Sequence, residues 1–103
     1  AAMNYSLEFL PEAKREMQQA FRWYEDRQEG LGDEFTAEVE NALDRLLRSP
    51  SSYGIVFHGM RRMAVKRFPY GVYYLVRKEL VLVVAVFHSR RNLTRLRKRL
   101  RGV

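Results

Sequence analysis

Polar and apolar positions alternate at the start of the chain, where Tyr5, Leu7 and Phe9 fall on one side of "NYSLEF", residues 4–9. A period of two marks a strand with one buried face. The period then lengthens. Ala13, Met17, Ala20, Phe21 and Tyr24 recur three and four apart, which predicts an amphipathic helix. Pro11 suits its first position, where a missing N–H costs nothing, and Glu12 suits the positive end of the helix dipole. Gly30 and Gly32 punctuate its end. A second helix is expected from about Gly32 to Arg48, with Phe35, Val39, Ala42, Leu43, Leu46 and Leu47 on its stripe and Asp33 and Glu34 near its start. So short a link predicts an antiparallel helical hairpin. Ser49 stops the second helix, because a residue before proline is pushed out of the helical region.

A loop carrying His58 and Gly59 then runs to about Met60, and three strands are expected after it. "RMAVKR", residues 62–67, alternates; "GVYYLV", residues 71–76, is rich in β-branched and aromatic residues; "LVLVVAVF", residues 80–87, is apolar on both faces. The last should be a central strand covered on each side. Alternation groups Tyr74 with Val72 and Val76 toward the core, and Tyr73 with Leu75 on the opposite face. Connections this short predict an antiparallel meander. From about Asn92 the spacing of Leu93, Leu96 and Leu100 turns helical. The predicted order is β-α-α-β-β-β with a short C-terminal helix. This is an α+β fold, a helical hairpin packed on a small antiparallel sheet.

Composition narrows the class. The 103 residues suit a single domain, 1–103, with a basic C-terminal helix over 92–103. Met3 reads as the natural start, with Ala1 and Ala2 added before it. With no cysteine, disulfides and Cys-ligated metal sites are excluded, and the two histidines make a metal site improbable, so neither metal nor cofactor is expected. No apolar run approaches the roughly 20 residues that span a bilayer, and no signal peptide is evident, so a cytoplasmic protein without membrane contact is expected. The charge is unevenly spread. Residues 1–50 hold eleven acids and six bases, whereas residues 51–103 hold thirteen bases and one acid, Glu79. The second half should attract a polyanion or an acidic protein segment.

The candidate chemistry gathers at "FHSRRN", residues 87–92, where His88, Arg90 and Arg91 emerge from the central strand. Lys66 and Arg67, on the neighbouring strand, could face the same surface. Arginine can clamp a phosphate with its planar fork, and histidine can exchange a proton near neutrality. Equally, His88 reads as a strand-end residue hydrogen-bonded to backbone. "LTRLRKRLRGV", residues 93–103, is basic but lacks an aromatic residue to stack on a base. Its leucines suit packing against the sheet. Trp23 lies beside the first helix's stripe, at a hairpin edge or against a second chain. Glu12, Glu16, Glu38 and Glu40 read as a solvated face. No phosphate-cradling glycine loop or nucleophile elbow occurs.

"FLPEA", "LLRSP", "MAVKRFPYGVYYLV" and "VLVVAVFHSRRN", in this order of elements, resemble the RelE/ParE superfamily of type II toxin–antitoxin modules, also known as plasmid stabilization proteins. The resemblance covers about residues 4–93. It implies a growth-inhibiting toxin neutralised by a cognate antitoxin whose acidic C-terminal segment wraps it. RelE-like members bind the ribosome and cleave mRNA without a metal; ParE-like members share the fold and inhibit DNA gyrase. Lys66 matches a basic position of the RelE-like set, and Arg90 matches the arginine after the last strand. The third-strand arginine of that set falls at Gly71 or Val72, and no tyrosine follows Arg91. "FPYGVYY" and "FHSRRN" are more similar to the ParE branch. The implied function is therefore gyrase inhibition by direct binding, leaning away from an enzyme. Arg90, Arg91, Arg95, Arg97, Lys98 and Arg99 are the target-binding candidates. The alternative is a ribosome-dependent mRNA endonuclease with Lys66, Arg67, His88 and Arg90 as its catalytic set. A homodimer and a toxin–antitoxin hetero-oligomer are both compatible with the resemblance.

Overall fold

A computed structural model describes residues 4–103; the expected start at Met3 lies outside them. Strand β1 (Ser6–Phe9) leads directly into helix α1 (Pro11–Arg27), with Pro11 in its first turn as expected. Helix α2 (Leu31–Arg48) follows after a turn in which Gly30 adopts φ 87°, a left-handed conformation natural to glycine. The Glu25 carboxylate closes this turn, accepting from the N–H groups of Gly30 and Gly32 at 2.9 Å each. It thereby satisfies two amides at the positive end of α2.

The segment after α2 contains more structure than its pattern predicts. A 3₁₀ turn, Pro50–Ser52, is followed by strand β2 (Ile55–Phe57), a tight turn at His58 and Gly59, and strand β3 (Met60–Ala64). Both turn residues have positive φ, 47° and 81°, as a tight hairpin turn requires. Strands β4 (Tyr70–Arg77) and β5 (Leu80–His88) lie close to the predicted bounds. Lys66 and Arg67 were expected on a strand. They instead occupy the turn between β3 and β4, where Arg67 has φ 70°.

The sheet has five strands in the order β1-β5-β4-β3-β2. It is mixed rather than wholly antiparallel, because β1 pairs parallel with β5, Ser6 opposite Leu80 and Phe9 opposite Val83. The other pairings are antiparallel. The α+β class and the hairpin-on-sheet architecture are as predicted. β5 lies inside the sheet between β1 and β4 and is buried on both faces as predicted, while the middle position belongs to β4. Between Tyr73 and Tyr74 the register shifts, so that Ala85 opposes Tyr73 and Val83 opposes Tyr74, leaving Val84 as the extra residue of a β-bulge.

Two cores sit on the two faces. Under the hairpin, Ala13, Ala20, Phe35, Val39 and Leu46 pack on Val72, Tyr74, Val81, Val83 and Val86. On the other face Met60, Tyr73, Val84, Ala85 and Phe87 are covered by the C-terminal segment, a 3₁₀ turn, Leu93–Leu96, and helix α3 (Arg97–Arg101). Leu96 is fully buried, with Leu93 and Leu100 packed beside it. Asn92 caps the segment, its Oδ1 accepting from the Thr94 N–H at 3.0 Å. No helix among the described residues is long and apolar enough to cross a membrane.

Candidate interaction site at the end of the central strand

β5 delivers His88 to the rim of the sheet, and the chain turns immediately, with the Arg91 N–H donating to the His88 carbonyl at 3.0 Å. The imidazole is occupied locally. Its Nδ1 accepts from the Arg90 N–H at 3.1 Å, and Tyr70 meets the ring edge-on at 5.3 Å between centroids. His88 is thus a strand-end residue hydrogen-bonded to backbone, one of the two readings its position allowed. It lines a cleft of about 340 Å³ between α1 and the sheet, with Gln19, Ala20, Trp23, Tyr70 and Arg91. Trp23 is half exposed at the cleft edge, and the Arg27 guanidinium lies over its ring. Burial raises the Tyr70 hydroxyl above its ordinary pKa, against the opposing pull of the Arg91 charge.

The cationic side chains divide into two groups. Arg91 and Arg99 turn inward to Glu16 on α1, which is buried and not part of a solvated face as expected. Arg99 Nη1 donates to Glu16 Oε1 at 2.9 Å, its Nη2 donates to Oε2, and Arg91 Nη1 reaches Oε2 at 3.4 Å. Arg90, Arg95, Arg97 and Lys98 are exposed and have no ion-pair partner among the described residues.

Of Lys66, Arg67, His88 and Arg90, two are engaged separately, Arg67 with α2 and His88 with the α1 cleft. Arg67 bonds to Glu34 at 2.9 Å and approaches Glu38 at 3.8 Å, both on α2. The Glu34 hydrogen bond and charge raise its pKa further. His88 faces the α1 cleft, on the hairpin side of the sheet. Lys66 is exposed in the β3–β4 turn.

One arginine escaped the sequence reading. Arg62, on β3, lies across Gly71 of β4, where a Cβ would fall within 2.8 Å of its Cζ. Its Nε donates to the Tyr73 hydroxyl at 3.1 Å and its Nη2 to Ser89 Oγ at 3.3 Å. The signal available was the pairing of a strand arginine with a glycine on the next strand, legible only once the register is known.

The sequence matches the family described as "ParE toxin of type II toxin-antitoxin system, parDE" over residues 7–93. The chain belongs to the ParE toxin family. Compared with curated proteins, it has no match in sequence. Among solved structures, this ParE-family chain is similar to one titled "Chromosomal ParDE TA system from P. aeruginosa". The two share 14% identity and a TM-score of 0.71, over 85% of this chain and 98% of the other. At that identity the likeness is one of fold. The family match ends at Leu93, so the basic helix that closes this ParE-family chain lies beyond it.

Proposed function

We propose that this chain is a ParE-type toxin that inhibits DNA gyrase by direct binding and is neutralised by a cognate antitoxin. Supporting this reading is the dispersal of the groups that RNA cleavage would need: Arg67 is committed to α2, and His88 is turned to the α1 cleft. Position 71 is glycine, and no tyrosine follows Arg91. An inhibitor that works by binding needs no proton-transfer pair. In this reading Arg90, Arg95, Arg97 and Lys98 contact the target, while Arg91 and Arg99 hold their segment in place. The antitoxin supplies an acidic segment to the basic second half of the chain, as charge complementarity favours.

A supercoiling assay with purified gyrase tests this. Supercoiling should fall as toxin is added and recover when antitoxin is present. Full supercoiling at toxin excess would overturn the reading. Primer extension on mRNA from expressing cells tests the alternative; cuts within codons that vanish in Arg90→Ala would establish a ribosome-dependent nuclease instead.

A further inference from the structure

The loop that follows β5 holds Arg90 between two tied neighbours. On one side the Arg91 guanidinium reaches Glu16 on α1 at 3.4 Å. On the other side Ser89 is held twice. Its N–H donates to the Pro69 carbonyl at 2.8 Å, and its Oγ accepts from Arg62 Nη2 at 3.3 Å. The Arg90 side chain between them is exposed and pairs with no carboxylate among the described residues. The contact from Arg62 crosses a whole strand, because Arg62 is on β3, Ser89 follows β5, and β4 runs between the two. Arg62 stands opposite Tyr73 in the register, and its Nε donates to the Tyr73 hydroxyl at 3.1 Å. From there the guanidinium lies across Gly71. A Cβ on Gly71 would fall 2.8 Å from its Cζ and 2.9 Å from its Nη2, so the side chain crosses β4 at the one place where no methyl group blocks it.

We infer that Arg62 is a positioning residue for Arg90: it ties the loop to β3 through Ser89 and so fixes where Arg90 points. The inference rests on the reading of Arg90 as a target contact and adds to it the residue that orients that contact. A planar guanidinium is suited to this work, since two of its donors bond Tyr73 and Ser89 in one fixed geometry. A loop ordered beforehand spares binding the entropy of ordering it. Gly71 belongs to the same device. A methyl group there would meet the movable end of a side chain rather than backbone, so it would displace the Arg62 guanidinium and leave the strand in place. Gly71→Ala thus moves the tie while keeping every charge and every hydrogen-bonding side chain.

Amide hydrogen exchange of residues 89–91, followed by NMR on the full chain, measures the tie with no target present. Exchange should quicken by about 3- to 10-fold in Arg62→Ala, Ser89→Ala and Gly71→Ala, the loss of one hydrogen bond. Gly71→Ala should keep the wild-type melting temperature, which separates a moved loop from a weakened fold. With gyrase added, the toxin concentration for half inhibition of supercoiling should rise about 3- to 10-fold in the same three variants. In an Arg90→Ala background those substitutions should add nothing further, because no side chain is left to position. Arg62→Lys keeps the charge but not the planar pair of donors, and should rescue little. Three results would overturn the inference: unchanged exchange in both Ser89→Ala and Gly71→Ala, penalties undiminished in the Arg90→Ala background, or full recovery in Arg62→Lys. A wild-type chain that leaves supercoiling intact overturns the gyrase reading instead, and the exchange rates then still decide whether Arg62 fixes the loop.

Discussion

Beyond Leu10 no strand among the described residues runs beside the outer edge of β5, and two side chains meet the backbone groups left there. Glu16 Oε1 accepts from the Val86 N–H at 3.1 Å, while Arg99 Nη1 donates to the Val84 carbonyl at 3.1 Å. The Glu16–Arg99 pair therefore completes the sheet edge and ties the last segment to α1. Its signal in the sequence is slight: Glu16 stands three residues after Ala13 and four before Ala20, on the apolar stripe, where the smallest residues flank it. Glu16→Ala should lower stability by about 2–4 kcal/mol, since it strands a buried N–H and a guanidinium only partly open to water. Glu16→Gln should cost less because its carbonyl still accepts from Val86. Urea unfolding measures both. If the pair acts as a unit, Glu16→Gln/Arg99→Gln will cost less than the sum of its singles. Tyr74 supplies a second residue-level test. Its hydroxyl is buried, donates to the Pro50 carbonyl at 2.7 Å, and is pushed up by burial to about 12. The folded pKa exceeds the unfolded value near 10, so the neutral phenol's contribution is complete below about pH 10 and is lost as pH rises toward 12. Burial raises Tyr24 and Tyr70 in the same direction. Melting temperature should therefore fall over that window, and less steeply in Tyr74→Phe.

The elements that rest on local periodicity are those the sequence shows plainly. Both helices and strands β4 and β5 follow from apolar spacing, Pro11 and the break at Ser49-Pro50. β2 is three residues long, too short for alternation to register, though "HG" at positions 58–59 carries the composition of a hairpin turn. The parallel pairing of β1 with β5 joins elements separated by most of the chain, and no local residue specifies it. The turn into α2 is local but exacting. Gly32 is buried against α1, where a Cβ would fall 2.7 Å from the Phe21 carbonyl oxygen and 2.8 Å from its Cδ2. A carbonyl on a helix cannot rotate away as a side-chain tip can. Gly32→Ala should therefore destabilise by about 1–2 kcal/mol, the overpacking cost outweighing the better helix propensity of alanine. A raised melting temperature would show that the two helices can separate to admit the methyl group.

At the scale of the whole molecule, a single sheet divides two cores, and the second is roofed by the last eleven residues, 93–103, with Leu10 and Phe57 packed at its sides. Charge and the end of the family match set those residues apart as a basic segment. The leucines at 93, 96 and 100, whose spacing suits packing against the sheet, roof Tyr73, Val84, Ala85 and Phe87. Packing and charge can be separated along this segment, since its leucines face the sheet while Arg95, Arg97, Lys98 and Arg101 face outward. Leu96→Ala should cost about 2–5 kcal/mol as a fully buried leucine lost from a tight site. Arg97→Ala/Arg101→Ala should change stability by less than about 0.5 kcal/mol, being exposed and outside any ion pair. Deletion of residues 93–103 removes all three leucines together with Arg99, a loss of about 4–6 kcal/mol against the roughly 5–15 kcal/mol that holds a domain of this size. The truncated chain should therefore bind a hydrophobic dye and lose its cooperative thermal transition, while the double arginine variant melts like the wild type. A truncated chain that still unfolds cooperatively near the wild-type temperature would show that the second core closes without its roof.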